Sequence, residues 1–234
     1  AEFYIAIYKK SISIILPCIK LNLTYRLNGC YIPSMLNEFE PVLITGSAHP
    51  TLAEEVGKLL ALDTHQAVSR FADNEARVQI PVNVRKREVY ILQSTCPPNV
   101  DSHYMELFAM IDAARRASAS DISAVIPYYG YSRQDRKDRP RTPINSSWIA
   151  KTIEMLGVNR IVTVDLHAEP SAGNVSIPWE NLYASYSIIP VLKERLDLDN
   201  LVVASPDKGG MERAAKYSEL LGLGRGVAIV YKRR

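Results

Sequence analysis

Short runs of aliphatic and β-branched residues alternate with amphipathic stretches from residue 41 to the end of the chain. A parallel sheet with crossover helices requires this alternation, because each strand must be joined to the next by a helix on one face of the sheet. The pattern predicts strands over 42–45, 65–71, 76–82, 88–92, 122–126, 160–166, 201–204 and 227–231. It predicts helices over 101–117, 143–156, 187–196 and 210–221, and one whose apolar face carries Leu52, Val56, Leu59 and Leu60. The predicted fold class is α/β.

The charge of the chain is unevenly distributed. The whole sequence of 234 residues has a formal charge of +3 and a pI near 8.7. Residues 1–34 hold four basic side chains and one acidic one, whereas residues 35–234 hold 24 of each sign. A neutral body argues against a protein that binds nucleic acid through a broad basic surface.

Residues 1–34 differ from the body in composition and lack its periodicity. Their apolar run, 11–19, is too short to span a bilayer and is interrupted by Pro17, and a signal peptide is disfavoured. Cys18 and Cys30 lie there, and only Cys96 lies in the body, which predicts neither a disulfide framework nor a zinc site. We interpret 1–34 as a leader outside the core that precedes Met35, and non-native sequence is one interpretation of it.

A long polar loop, 128–141, and the helix that ends at Gly157 suggest a domain boundary there. The predicted domains are 35–157 and 158–234. The second domain contains three predicted strands but no final helix to cover its sheet, so we expect it to be incomplete.

Two strand ends carry candidate metal ligands. Asp165 and His167 follow one predicted strand and would share a face, because side chains alternate along a strand. Asp207 follows another strand in the run SPDKGG, where glycine amides and the start of a helix favour the binding of an anion. An aspartate carboxylate in front of these amides is unexpected unless a cation lies between it and the anion, which makes Asp207 a candidate ligand. The alternatives are a structural histidine at the first end and a capping aspartate at the second.

The 128–141 loop carries five basic residues, two acidic residues and three tyrosines. Arginines of this kind suit a polyphosphate, because they provide paired hydrogen-bond donors. Single-stranded nucleic acid and a solvated charged loop are the alternatives. The sequence has no Walker motif, no G-x-G-x-x-G and no G-x-S-x-G. The remaining hypothesis is an enzyme that acts on phosphate groups with a metal ion, arginines and a lysine near the end of the sequence.

Five segments in register resemble the ribose-phosphate pyrophosphokinase family, also called phosphoribosyl diphosphate (PRPP) synthetases. The segments are SRFADNE at 69–75, ILQSTC at 91–96, YSRQDR at 131–136, VDLHA at 164–168 and SPDKGG at 205–210. The resemblance covers roughly residues 41–234. It implies two phosphoribosyltransferase-like parallel-sheet domains, of which the first would bind ATP and the second would be incomplete.

The resemblance also implies an activity and a set of site residues. The family transfers diphosphate from ATP to the 1-hydroxyl of ribose 5-phosphate, with Mg²⁺, giving PRPP and AMP for nucleotide biosynthesis. Phe71 would stack on adenine, and Mg²⁺ would be held by His167 and Asp207 with Asp165 in support. Catalytic charge would come from Lys232 and Arg234, on the family's mobile loop. The implied ATP-binding residues are Phe71, Asp73, Asn74, Glu75, Arg133, Gln134 and Asp135.

This sequence departs from the family's usual pattern at several places. Residues 170–175 (PSAGNV) replace a Gln-Gly-Phe-Phe-like run, and Lys208 stands where small or apolar residues are common. The family's acidic ribose 5-phosphate loop is absent from the sequence. We therefore expect this chain by itself to bind nucleotide without making PRPP.

The resemblance implies a cytoplasmic homo-oligomer, a hexamer in the family, with neither a nucleic-acid nor a membrane partner. The alternatives are a non-catalytic regulatory subunit of the same fold and, less favoured, a basic RNA-binding module.

Overall fold

The computed structural model describes residues 40–224 and 226–230, which form two compact units, 40–182 and 183–230. The predicted leader, 1–34, lies outside the described residues. The helices of the first unit are α1 (Pro50–Leu60), α2 (Val100–Arg116) and α3 (Asn145–Met155). Its strands are β1 (Val42–Thr45), β2 (Thr64–Gln66), β3 (Val68–Arg70), β4 (Ala76–Val78), β5 (Glu88–Leu92), β6 (Asp121–Ile126), β7 (Arg160–Val164) and β8 (Trp179–Leu182).

A six-stranded sheet in the order β2-β1-β5-β6-β7-β8 forms the centre of the first unit. Every neighbouring pair in it is parallel. The middle strands are nearly continuous apolar runs, such as Val42–Thr45, because helices cover both faces of a parallel sheet. This sheet confirms the predicted α/β class.

The core lies between the sheet and one face of α2. Leu107, Met110, Ile111 and Ala114 recur at helical spacing on that face and are fully buried. They pack with buried sheet residues such as Ile91 in one continuous cluster.

The predicted strand over 65–71 divides at Ala67. The N–H of Ala67 donates to the carbonyl of Thr45 at 3.1 Å, and its carbonyl accepts from the N–H of Gln79 at 2.8 Å. The backbone is therefore shared at this residue: β2 stays in the large sheet, while β3 leaves it and forms an antiparallel hairpin with β4.

The sheet of the first unit extends beyond the predicted domain boundary at 157. β7 pairs with β6, and β8, which the sequence did not predict, pairs with β7. The sequence Trp179–Leu182 has no apolar alternation, and the indole N–H of Trp179 is bonded to Thr163 Oγ1. Backbone pairing and this polar contact hold β8 in place, so the compact unit ends at Leu182.

The second unit contains two helices, α4 (Ser185–Arg195) and α5 (Met211–Leu221), and two short strands, β9 (Ala204–Ser205) and β10 (Ala228–Ile229). The strands pair in parallel, as the α/β pattern predicted, but each is shorter than the predicted run. No helix in the described part of the chain is long and apolar enough to cross a membrane.

Three tyrosines support the carboxyl edge of the large sheet. The hydroxyl of Tyr104 donates to the carbonyl of Gly130 at 2.8 Å, and that of Tyr129 donates to the carbonyl of Ser146 at 2.9 Å. The Tyr129 ring meets Trp179 edge-on, and the Tyr104 ring stacks against Tyr131. Burial raises the pKa of both Tyr104 and Tyr129 well above the ordinary value of 10.0.

We expect Leu107→Ala to lower the free energy of unfolding by about 2 to 5 kcal/mol, because the side chain is fully buried and its removal leaves a cavity. Met105→Ala on the same helix is the control, since Met105 is 61% exposed and should change stability by less than about 0.5 kcal/mol. Urea unfolding measures both. Equal effects would contradict the assignment of the buried face of α2.

The raised pKa of the buried Tyr129 predicts that the protein loses stability at alkaline pH. The unfolded chain releases the phenol proton near pH 10, whereas the folded chain retains it, so stability falls as pH rises above 10 by about 1.4 kcal/mol per unit for each such tyrosine. Tyr129→Phe should lose about 0.5 to 1.5 kcal/mol at pH 7 with the hydrogen bond to Ser146, and its alkaline slope should be shallower. Urea midpoints from pH 7 to 11 test this. Parallel pH profiles for the two proteins would refute it.

Candidate functional site

The β3–β4 hairpin exposes four of the predicted ATP-binding residues at its turn: Phe71, Asp73, Asn74 and Glu75. The N–H of Phe71 donates to the carbonyl of Glu75, and the N–H of Asn74 donates to the carbonyl of Phe71, both at 3.0 Å. Asn74 adopts a left-handed conformation with φ of 72°. Asp73 Oδ1 accepts from the N–H of Glu75 at 3.1 Å, so the turn is fixed by its own side chain and backbone.

The ring of Phe71 is half exposed on the outer face of this hairpin, where 51% of its surface is accessible. The guanidinium carbon of Arg77 lies 5.7 Å from its ring centre, within range of a cation–π contact. Arg77 is directly opposite Ser69 in the hairpin, so it shares the face of Phe71. The exposed ring thus has a cation beside it.

Beneath the turn lies a buried carboxylate that the sequence analysis did not identify. Glu106, on the buried face of α2, accepts hydrogen bonds from Ser47, Gln93 and Arg70. The signal that could have found it is its position one residue before Leu107 and four before Met110, inside the apolar arc of the helix.

Gly46 permits the close approach of Gln93 to this group. A Cβ at Gly46 would lie 2.1 Å from Gln93 Oε1, and Gln93 is itself buried. Any side chain at this position would therefore displace Gln93 from Glu106.

The 128–141 loop begins at the carboxyl end of β6, next to the end of β5. Thr95 receives it: the Thr95 N–H donates to the carbonyl of Tyr128 at 2.9 Å, and Thr95 Oγ1 accepts from the N–H of Gly130 at 2.8 Å. The hydroxyl of Tyr131 donates to Asp101 in the first turn of α2, which raises the pKa of that phenol. These contacts fix the loop's first residues.

The predicted ATP-binding residues of this loop come directly after its fixed first residues. Arg133 and Gln134 are exposed and Asp135 is half-buried. Hydrogen bonds hold both the N–H and the carbonyl of Gln134. Its N–H donates to the carbonyl of Tyr131 at 2.9 Å, and its carbonyl accepts from the N–H of Ser146 at 3.2 Å. Two adjacent exposed side chains, one of them a guanidinium, therefore stand on a fixed backbone.

Asp165 and His167 are both exposed at the carboxyl end of β7, and Leu166 between them is buried. The strand ends at Val164, and Asp165 takes a left-handed conformation with φ of 47°. Asn181 Oδ1 accepts from the N–H of Leu166 at 2.9 Å, which holds this turn. Both side chains are exposed, but the backbone between them is a turn rather than the continued strand on which the predicted shared face depended.

Asp207 lies in the second unit, where it caps a short 3-10 turn, Lys208–Gly210. Its Oδ1 accepts from the N–H of Gly210 at 3.0 Å, and its carbonyl accepts from Ser205 Oγ at 2.7 Å. This is the capping role that the sequence analysis gave as the alternative.

The predicted metal ligands are thus divided between the two units, with Asp165 and His167 in the first and Asp207 in the second. Within residues 40–224 and 226–230, no three His, Cys, Asp or Glu side chains lie together in a metal-binding group. The predicted catalytic residues Lys232 and Arg234 lie outside the described residues.

The comparisons with known proteins agree with one another. A family model described as the N-terminal domain of ribose phosphate pyrophosphokinase matches residues 41–157. A ribose-phosphate pyrophosphokinase of Wolinella succinogenes is 46% identical over 193 residues, which cover 82% of this chain and 61% of the relative. One of Helicobacter pylori is 43% identical over 193 residues, covering 82% of this chain and 59% of that protein.

A solved structure also matches. The crystal structure of a phosphoribosylpyrophosphate synthetase from Mycobacterium smegmatis superposes with a TM-score of 0.79 at 36% identity, covering 84% of this chain and 65% of that one. The chain spans about three fifths of the length of the curated relatives it matches. With its fold, its five sequence segments and these matches in agreement, the chain belongs to the ribose-phosphate pyrophosphokinase family.

Proposed function

We propose that this chain provides the ATP-binding part of a ribose-phosphate diphosphokinase, which transfers diphosphate from ATP to ribose 5-phosphate and gives PRPP and AMP. Its membership of the family supports the reaction class. The observation that carries the proposal is the hairpin turn, which exposes Phe71 among polar groups on a fixed backbone.

The adenine base would stack on the exposed ring of Phe71. Base–aromatic stacking is favourable for any base, so selection of adenine must come from polar groups nearby. Asp73 and Glu75 supply acceptors for the exocyclic amino group of adenine, and Asn74 supplies both a donor and an acceptor. The cation–π contact with Arg77, on the same face of the hairpin, supports the ring.

The anchored 128–141 loop would contact the rest of ATP through Arg133, Gln134 and Asp135. A guanidinium offers paired donors to phosphate oxygens and remains charged at all physiological pH values. The exposure of Arg133 and Gln134, on a backbone held at Gln134, supports this role.

Magnesium fits the residues at the end of β7. Carboxylate oxygen is the ligand that Mg²⁺ prefers, and the exposed Asp165 carboxylate belongs to a residue two positions before the exposed His167. When bound, Mg²⁺ would neutralise phosphate charge and orient the triphosphate. The further ligand expected at Asp207 stays a prediction.

The remaining parts of the proposal rest on the family resemblance. Lys232 and Arg234 would place positive charge on the phosphates in the transition state. The complete enzyme would bind ribose 5-phosphate and form a cytoplasmic homo-oligomer, a hexamer as in the family. Relatives that carry the enzyme's name favour this function over a non-catalytic regulatory subunit.

We expect Phe71→Ala to weaken ATP binding by about 5- to 150-fold, since stacking of one base on an aromatic ring contributes about 1 to 3 kcal/mol. Isothermal titration calorimetry with MgATP measures this. Tyr186→Ala is the matched control, because it removes an aromatic ring that is 73% exposed in the other unit. Unchanged affinity in the Phe71 variant would overturn the proposed adenine site.

We expect His167→Ala to abolish the dependence of ATP affinity on magnesium, because the variant loses one proposed ligand. The affinity is measured with ATP alone and with MgATP. His65→Ala, on strand β2, is the control and should keep the full magnesium response. A normal response in the His167 variant would place the magnesium elsewhere.

A further inference from the structure

The Glu106 carboxylate is fully buried and has a complete set of donors. It accepts from the Ser47 N–H at 3.1 Å, from Ser47 Oγ at 2.8 Å and from Gln93 Nε2 at 2.7 Å. The Arg70 guanidinium completes the set with an ion pair. A carboxylate out of water requires such partners, because an unpaired buried charge is strongly destabilising.

Arg70 is the one member of this set that comes from the β3–β4 hairpin. The hairpin strands pair only with each other among the described residues, and a two-stranded hairpin by itself is marginally stable in water. Its inner face packs on the core through Val68 and Val78. The ion pair with Glu106 therefore adds a directional attachment to an element that apolar contacts alone hold loosely.

Arg70 also closes the turn that exposes Phe71. Its guanidinium donates to the carbonyl of Asn74 at 3.4 Å and to Ser102 Oγ at 2.9 Å. Side chains alternate along the strand, so Arg70 points inward while Phe71, its neighbour, points outward. Fixing the Arg70 side chain thus fixes the base of the turn to α2.

The same end of α2 holds the other predicted ATP-binding segment. Asp101, in the first turn of α2, accepts a hydrogen bond from Tyr131 of the 128–141 loop. The next residue, Ser102, accepts one from Arg70 of the hairpin. The first turns of α2 are therefore attached to both segments, and Glu106 lies one turn further along.

We propose that Glu106 and Arg70 are positioning residues for the nucleotide. Their ion pair holds the hairpin turn in the conformation that presents Phe71, so that ATP does not have to order the turn when it binds. Affinity is lost when binding must also order a mobile segment. This inference rests on the proposed ATP-binding function.

Glu106→Gln tests the inference, since it keeps the shape of the side chain and removes its charge. We expect ATP affinity, measured by calorimetry, to fall about tenfold. The amides of Phe71 and Gln79, which bond to Glu75 and Ala67, should exchange hydrogen faster than in the unaltered chain.

Glu180→Gln is the matched control. It removes the charge of another ion pair in the same unit, Arg160–Glu180, which joins β7 to β8 and does not involve the hairpin. This variant should keep both the ATP affinity and the hairpin exchange rates of the unaltered chain. An equal loss of affinity in the two variants would show general destabilisation and would overturn the inference.

Arg70→Lys provides a second test if Glu106→Gln does not fold. Lysine keeps the charge that Glu106 needs but lacks the planar fork that bonds Glu106, Ser102 and Asn74 together. We expect weaker ATP binding and faster exchange at Phe71 in a folded protein. If either variant binds ATP as tightly as the original sequence, this inference alone is overturned. If the original sequence does not bind ATP, the proposed function is overturned and this inference with it.

Discussion

One buried carboxylate, that of Glu106, joins parts of the first unit that are far apart in sequence. It binds Ser47 after β1, Gln93 after β5 and Arg70 in the hairpin. Apolar packing is non-directional and allows neighbouring elements to slide, whereas a fully bonded carboxylate accepts one arrangement of its donors. The network therefore sets where the hairpin turn lies relative to the sheet edge, and the exposed ring of Phe71 depends on that placement.

The parallel sheet explains why these groups meet. Strands β1, β5, β6 and β7 pair in parallel, so the polar residues that follow each of them lie at one edge. Ligands of open α/β sheets bind at this edge, because loops there can change without disturbing the core. Buried apolar strands and exposed polar loops are thus two consequences of one topology.

The sequence predicted best where burial is continuous. Strands β1 and β5 have their predicted bounds, since an apolar run buried on both faces has no other stable placement. The sequence could not predict the division of 65–71 at Ala67, which depends on hydrogen bonds to residues far along the chain. It also missed β8, whose polar sequence has no strand period, and Glu106, since a charged residue on a helix is normally taken as exposed.

The turn at Asp165 shows how local strain is held by distant contacts. A left-handed aspartate is energetically unfavourable unless its surroundings fix it. Here the Asp165 N–H donates to the carbonyl of Leu182 at 2.8 Å, and Asn181 accepts from the N–H of Leu166. Both partners belong to β8, the strand without an apolar pattern. Asn181 is therefore required at this place, since its side chain and the neighbouring carbonyl of Leu182 fix the turn that leaves Asp165 and His167 exposed, with Leu166 buried between them.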